Sequence, residues 1–322
     1  MSDEASVGVT APPAAGVRLA WAALPAGTRE EVERHLGDRV AEAVSQPGGF
    51  SPGVAARLRL AGGGRAFVKA VSAAQNPDSP AMHRSEARIA AALPPGVPAP
   101  RLLTSFDRDG WVVLLFEDVE GRTPAMPWDP AELRRVLDAL TELTGALTPA
   151  PVPVTAAADR FREEFQGWRR LAADPDEGLG PWALRHLDRL AELEAGWPVA
   201  LKGDTLAHAD LRADNILLAQ DGRVLFVDWP WACPAPPWFD LLGMLPSVAM
   251  QGGPPPAEVF GPHPVARGAD PDAVTAVLAG LTGFFLEFGR RPPPPGLPTL
   301  RAFQRAQGAA ALAWLRERTG WR

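Results

Sequence analysis

The chain has 322 residues and a mass of 34.3 kDa, enough for one large domain or two medium ones around a sizeable core. Hydrophobic residues make up 46% and charged residues 22%, which excludes a disordered chain. The net charge is −6, divided as −2 over residues 1–120 and −4 beyond, so neither half has the basic character that nucleic acid requires.

Cys233 is the only cysteine, which excludes an internal disulfide and a cysteine-rich metal site and points to reducing cytoplasm. No apolar run approaches the ~20 residues of a membrane helix, and the acidic N-terminus lacks a signal pattern, so no membrane partner is expected.

Residues 1–20, rich in Ala and Pro, read as a flexible arm. A helix is predicted from Thr28, with a capping box to Glu31, as far as about Ser45. Residues 46–53, Gln-Pro-Gly-Gly-Phe-Ser-Pro-Gly, fit neither helix nor long strand. Val54–Leu60 and Ala66–Val71 flank three glycines and read as a hairpin. Met82–Leu93 reads as a helix. Arg101–Phe106 and Trp111–Phe116 form a second hairpin.

Beyond Gly121 the periodicity is helical. Asp129-Pro130 opens one helix, with Leu133, Val136, Leu137 and Leu140 on its apolar face. Leu184, Leu187 and Leu190 mark another, ending near Gly196. Asp270-Pro271 opens a third, through about Phe288, and Pro298–Arg318 is a fourth. Between the second and third, Leu206–Val227 reads as a small hairpin around residues 219–222. The Pro-rich stretches 252–256 and 292–295 are loops. The chain therefore divides into an arm (1–20), a β-rich front (21–120) and a mostly helical back (121–322), with Val119–Pro127 as connector.

Of 32 basic side chains, 30 are Arg; the two Lys are Lys69 and Lys202. A GC-rich coding bias explains this most simply. Under such a bias a retained Lys is a candidate for work that a planar guanidinium cannot do.

The sharpest signal is His208-Ala209-Asp210-Leu211-Arg212-Ala213-Asp214-Asn215, of the form H-x-D-x-x-x-x-N. In this composition about 0.002 chance matches are expected, so the motif is specific. Thirteen residues past Asn215, Asp228 ends an apolar run. Upstream, Lys69 lies on a strand after a Gly-rich turn, and Glu86 follows seventeen residues later in the next helix.

In order and kind these residues resemble the aminoglycoside phosphotransferase and choline kinase-like family, relatives of the protein kinases, over about residues 45–245. The resemblance implies an α+β, two-lobed protein kinase-like fold: a small antiparallel β N-lobe with one inserted helix and a larger, mainly α-helical C-lobe. It implies an ATP-dependent phosphotransferase, with ATP and Mg²⁺ as cofactors and a small-molecule hydroxyl as acceptor, working as a monomer or weak homodimer. An aminoglycoside-type antibiotic is the family's headline acceptor. A sugar, amino alcohol or amino acid is the alternative, and a nucleotide-binding protein with little catalysis is the rival.

Phosphoryl transfer needs positioning and neutralisation of charge. By the resemblance, Asp210 accepts or orients the acceptor hydroxyl and Arg212 faces the γ-phosphate. Asn215 and Asp228, hard oxygen donors, hold Mg²⁺. Lys69 meets the phosphates and Glu86 holds Lys69. Gly49, Phe50 and Ser51 lie in the loop that covers the phosphates. Glu117 and Val119 in the connector meet adenine. His208 braces the catalytic loop, Asp240 braces it from the following helix, and Asp214 is a loop or cap residue.

Two features stand apart from protein kinases. Asp228 is followed by Trp229-Pro230, whose fixed backbone argues against a flipping activation segment. The stretch Trp229–Trp238 holds three Trp and four Pro, and reads either as a packed loop or as an aromatic wall of the acceptor site. Glu163, Glu164, Asp174, Asp176 and Glu177 form an acidic run of the kind that is most often a solvated face.

Overall fold

The computed structural model describes residues 12–175 and 177–322. The front half is a five-stranded antiparallel sheet with one helix on each face. Helix α1 (Ala26–Leu36) precedes β1 (Val40–Ser45), β2 (Val54–Leu60) and β3 (Arg65–Ser72). Helix α2 (Ser79–Ala92) is inserted before β4 (Leu102–Arg108) and β5 (Trp111–Phe116), and the strand order is β1-β2-β3-β5-β4.

Strand β5 shows why its sequence is apolar throughout. Alternate side chains point to opposite faces of a strand. Trp111, Val113 and Leu115 pack with Val32 of α1, whereas Val112, Leu114 and Phe116 pack with Ala87 of α2. Both faces are covered, so polar alternation is lost.

The predicted helix from Thr28 to Ser45 is corrected to a helix and a strand. Gly37 takes a left-handed backbone (φ 73°), which ends α1 at Leu36, and Val40–Ser45 becomes the edge strand beside β2. The capping box does not form. Pro25 is the N-cap, and the Thr28 hydroxyl instead donates to Asp109 Oδ2 at 3.3 Å.

Residues 12–20 are docked where a flexible arm was expected; residues 1–11 lie outside the described residues. The Val17 N–H donates to the Gly296 carbonyl at 2.8 Å, and the Gly53 N–H donates to the Val17 carbonyl at 3.1 Å. Ala15 and Arg18 bridge to Gly49 and Gly53. The segment thereby ties the Gly-rich loop to the far end of the chain.

Beyond β5 the described residues are mainly helical, with five short strands. There β6 (Gly121–Arg122) joins β8 (Ile216–Ala219) and β9 (Val224–Phe226), while β7 (Thr205–Ala207) pairs with β10 (Cys233–Ala235). The helices are α3 (Pro130–Ala146), α4 (Ala157–Arg160), α5 (Gly167–Ala173), α6 (Gly180–Arg185), α7 (Leu187–Glu194), α8 (Trp197–Ala200), α9 (Phe239–Met250), α10 (Pro256–Phe260), α11 (Pro271–Arg290) and α12 (Leu300–Thr319). Asp129 caps α3, accepting from the Ala131 and Glu132 N–H groups.

Two expectations change in this half. The helix through Leu184 and Leu190 is two helices, because His186 leaves helical geometry (ψ 14°) between α6 and α7. The hairpin predicted over Leu206–Val227 is confined to β8 and β9, since Leu206 belongs to β7 and pairs with Pro234. Among the described residues one helix, α11, is long and apolar enough by length and composition to cross a membrane. Here 61% of its apolar window is buried inside the fold, against α5, α8 and α12.

Candidate active site

The H-x-D-x-x-x-x-N segment is the loop between β7 and β8. Its second residue, Ala209, has a left-handed backbone (φ 67°), a conformation that a non-glycine residue adopts only when its surroundings impose it. Asp240, in the first turn of α9, imposes it: its carboxylate accepts from the His208 N–H at 2.8 Å and the Ala209 N–H at 2.7 Å. Burial pushes the Asp240 carboxyl up to about 6, against the pull of those two donors.

His208 is fully buried and both its ring nitrogens are used. Nε2 donates to the Val227 carbonyl at 2.9 Å, and Nδ1 accepts from the Asp210 N–H at 3.3 Å. Burial pulls its pKa down to about 4. A neutral ring with no free nitrogen is a brace between the loop and the end of β9.

Asp210 is held by its neighbours. Arg212 Nη1 donates to Asp210 Oδ1, and Asn215 Nδ2 donates to the Asp210 carbonyl at 2.8 Å and to Oδ2 at 3.3 Å. Burial raises the Asp210 carboxyl to about 7, with Arg212 pulling the other way. The rest of the Arg212 fork grips Asp214, at 3.1 Å from Nε and 3.0 Å from Nη2. The guanidinium also lies over the rings of Phe50 and Phe303. Arg212 therefore clamps two carboxylates, and Asp214 is half of that clamp.

Lys69 projects from β3 and joins the two lobes. Its Nζ donates to Glu86 Oε2 on α2 at 2.6 Å and to Asp228 Oδ1 at 2.7 Å. Burial works against the Lys69 charge, but the Asp228 and Glu86 carboxylates outweigh it and raise its pKa. Burial likewise opposes ionisation of Asp228, and Lys69 overcomes it, holding that carboxyl low. Burial dominates at Glu86 and pushes it up. Asp228 itself has φ 71°, and the following segment is fixed: the Pro230 carbonyl accepts from Ser85 Oγ at 3.0 Å and Arg160 Nη2 at 2.6 Å.

The Gly-rich loop is bound closely to the sheet. At Gly53 (φ 94°) a Cβ would lie 2.4 Å from the Ala70 carbonyl oxygen, so only glycine fits. Gly49 and Ser51 face the cleft between the lobes. Phe50 turns toward the C-lobe, packing edge-on against Phe303 of α12 at 5.1 Å.

In the connector, the Glu117 N–H donates to the Arg101 carbonyl at 3.0 Å. Arg57 Nη2 donates to the carbonyls of Val119 and Gly121, at 3.0 and 3.1 Å. Arg57 and Arg65 also hold the Asp118 carboxylate.

Two cavities meet at this cluster. The larger, about 1140 Å³, lies between the lobes against Phe67, Lys69, Phe116, Val119, Leu217 and Asn215. The smaller, about 490 Å³, lies between the C-lobe and α2 with the Gly-rich loop, and reaches Asp210. They share Ser51, Glu86 and Asp228. Every site residue expected from the sequence lies on one of these cavities.

Arg18 and His83 are among the lining side chains that the sequence reading does not single out. Arg18, from the supposed arm, passes beneath the Gly-rich loop and donates to the carbonyls of Gly48 and Ser51. Burial lowers its pKa, while nearby Asp228 raises it. Nothing distinguishes Arg18 in a chain with 30 arginines. His83, one turn before Glu86, is buried beside the smaller cavity, and burial pulls it down to about 3. Of the three tryptophans in 229–238, only Trp231 lines the smaller cavity. Trp229 packs on His208 and donates to the Phe226 carbonyl, and Trp238 is buried. In the acidic run, Glu164 reaches that cavity, Glu163 pairs with Arg170, Asp174 pairs with Arg290, and Asp176 lies outside the described residues.

The chain matches the profile of the phosphotransferase enzyme family over residues 47–276, and it belongs to that family. A comparison with curated protein sequences finds no match. Among solved structures, it is similar to a thermostable mutant of aminoglycoside phosphotransferase APH(4)-Ia in ternary complex with ADP and hygromycin B. That TM-score is 0.58 at 15% identity, over 90% of this chain and 98% of the other. It is similar to the choline kinase LicA from Streptococcus pneumoniae (TM-score 0.55, 13% identity, 89% of this chain and 98% of that one). An ethanolamine kinase from Plasmodium vivax matches with TM-score 0.55 at 13% identity, over 86% and 83% of the two chains. At such identities the likeness is one of fold, and the fold is the two-lobed kinase-like one expected.

Proposed function

We propose that this phosphotransferase moves the γ-phosphate of ATP to a hydroxyl of a small molecule, across the junction where the two cavities meet. The observation that carries this reading is Lys69 bound to both Glu86 and Asp228, with Asp210 on the acceptor side of the same junction. The larger cavity takes the nucleotide. The Glu117 N–H and Val119 carbonyl are already engaged, so the Glu117 carbonyl and Val119 N–H are the groups left to meet the base.

The donor set fits Mg²⁺. Asn215 turns its amide nitrogen to Asp210, leaving Oδ1, and Asp228 gives Oδ1 to Lys69, leaving Oδ2. Two hard oxygens suit an ion that takes its remaining ligands from phosphate and water. Among the described residues no cluster of three or more His, Cys, Asp or Glu could hold an ion alone, which suits a metal that arrives with the nucleotide. When bound, Mg²⁺ neutralises charge on the phosphate oxygens.

Lys69 places a point charge on the phosphates, and Glu86 keeps it there. Asp210, fixed by Arg212 and Asn215, takes the proton of the acceptor hydroxyl. The acceptor oxygen bonds to the γ-phosphorus, the bond from that phosphorus to the β,γ-bridging oxygen breaks, and ADP leaves. The reaction belongs in the cytoplasm, where ATP is supplied, with the protein acting as a monomer or weak homodimer.

The test is incubation with Mg²⁺-ATP and a library of alcohols, read by the ~80 Da mass gain of a phosphoryl group. Phosphorylation of at least one acceptor is expected. Mg²⁺-dependent ATP binding with no product from any acceptor would instead make the chain a nucleotide-binding protein.

A further inference from the structure

The smaller cavity, read as the acceptor site, has walls unlike those a polycation requires. Phe161, Phe165, Trp231, Phe284, Phe285 and Phe303 line it, contributed by the α4–α5 segment, the loop after Asp228, α11 and α12. Phe161 is the centre of this wall. It stacks on Phe165 (centroids 4.9 Å apart, planes at 17°) and lies nearly parallel to Trp231 (6.3 Å, 12°).

Most carboxylates on the cavity are already engaged. Asp210 is bound by Arg212, Asp240 by two backbone N–H groups, and Glu86 and Asp228 by Lys69. Two others line the cavity: Glu164, half-buried, and Asp78, exposed at the rim. Burial raises the Glu164 pKa. The aromatic wall has its own cation as well. The Arg160 guanidinium lies 5.4 Å from the Trp231 ring centre and is anchored on the Pro230 carbonyl. Several ammonium groups brought into this cavity would lose water with only Glu164 and the rim Asp78 to meet them, which is costly. An apolar ring brought into it would gain burial and ring contacts.

We propose that the acceptor is an alcohol on an apolar, ring-bearing body with no more than one cationic group, the amine, where present, facing Glu164. This rests on the phosphotransfer reading and narrows it: a polycationic amino sugar is the wrong class. The volume of about 490 Å³ is in the range of ordinary small-molecule sites, which are apolar with a few placed polar groups.

The experiment compares three probes with the full chain and Mg²⁺-ATP: 3-phenyl-1-propanol, phenylpropanolamine and hygromycin B. The phenyl alcohols should be phosphorylated with KM at least tenfold below that of hygromycin B. Trp231→Ala, and separately Phe284→Ala, should raise KM for the phenyl alcohols about tenfold, with ATP affinity reporting that each variant is folded. Transfer to hygromycin B alone would overturn the acceptor class and leave phosphotransfer standing. Equal KM values for the phenyl alcohols in wild type and both variants would overturn the role of the wall. ATP binding with transfer to none of the three counts against the acceptor class, and the wider alcohol library then decides the phosphotransfer reading separately.

Discussion

Lys69 Nζ sits 2.7 Å from Asp228 Oδ1, a contact between residues 159 apart in sequence that joins the third strand of one lobe to the end of a strand in the other. With Glu86 on its other side, Lys69 is a single cation between two carboxylates in a buried setting. Removing one member of such a group leaves uncompensated charge, typically a loss of about 3–5 kcal/mol.

Lys69→Ala is therefore expected to lower both turnover and thermal stability. Lys69→Arg should recover stability in part and turnover poorly, because a planar fork does not replace a compact ammonium between these two oxygens. Steady-state kinetics beside thermal melting checks this. An arginine variant with near-normal kcat would contradict the point-charge role.

The metal reading separates Asp228 from Asn215. Asp228→Ala removes a charge that offsets the cation and should abolish Mg²⁺-dependent turnover. Asn215→Ala removes a neutral ligand and should raise the Mg²⁺ concentration needed for half-maximal rate while leaving activity at saturation. Small and equal effects in both variants would contradict the assignment.

Arg18 holds two carbonyls of the Gly-rich loop from below. Arg18→Ala should loosen that loop and raise KM for ATP about tenfold, equivalent to roughly 1.4 kcal/mol, with little change in acceptor KM. The comparison of the two KM values decides it. An effect on acceptor KM alone would show that the loop does not need this support.

The site was more legible in the sequence than the fold around it. Asp210, Asn215 and Asp228 could be read from spacing because one loop and one hairpin carry all three, so local sequence fixes their neighbourhood. Asp240 and His208 came with them. Arg18 was hidden because its role comes from backbone pairing between residues 15–19 and positions 53 and 296, which no local pattern encodes. The fused reading of α1 and β1 failed for a smaller reason. Gly37 stops the helix with a left-handed backbone, a common helix C-terminus. Strands β7 and β10 are three residues each, separated by residues 208–232, and are too short to show a period.

A pH effect on stability is expected at Glu194, which does not line either cavity. It is 3% exposed, and its carboxylate accepts from the Trp168 and Arg169 N–H groups at the start of α5. Burial pushes its pKa up to about 7 from an ordinary 4.5. The folded state thus binds the proton more tightly than the unfolded state. Stability from this group is full below pH ~4.5 and is lost as pH rises through about 7, by up to ~3 kcal/mol. Glu194→Gln should flatten the loss of melting temperature between pH 4.5 and 7.5. A variant with the wild-type pH slope would show that Glu194 does not titrate in this window.

The central claim is that Asp210 handles the acceptor proton while other groups hold the nucleotide. Asp210→Asn keeps the size of the side chain and a hydrogen bond but cannot take a proton. The measurement is kcat for acceptor phosphorylation together with calorimetric ATP affinity in wild type and this variant. The account predicts that kcat falls ~10²–10⁴-fold, the usual contribution of a positioned base, while ATP affinity changes little. Loss of ATP binding in proportion to the loss of rate, with no separate catalytic defect, would contradict it and make Asp210 a structural residue of the loop.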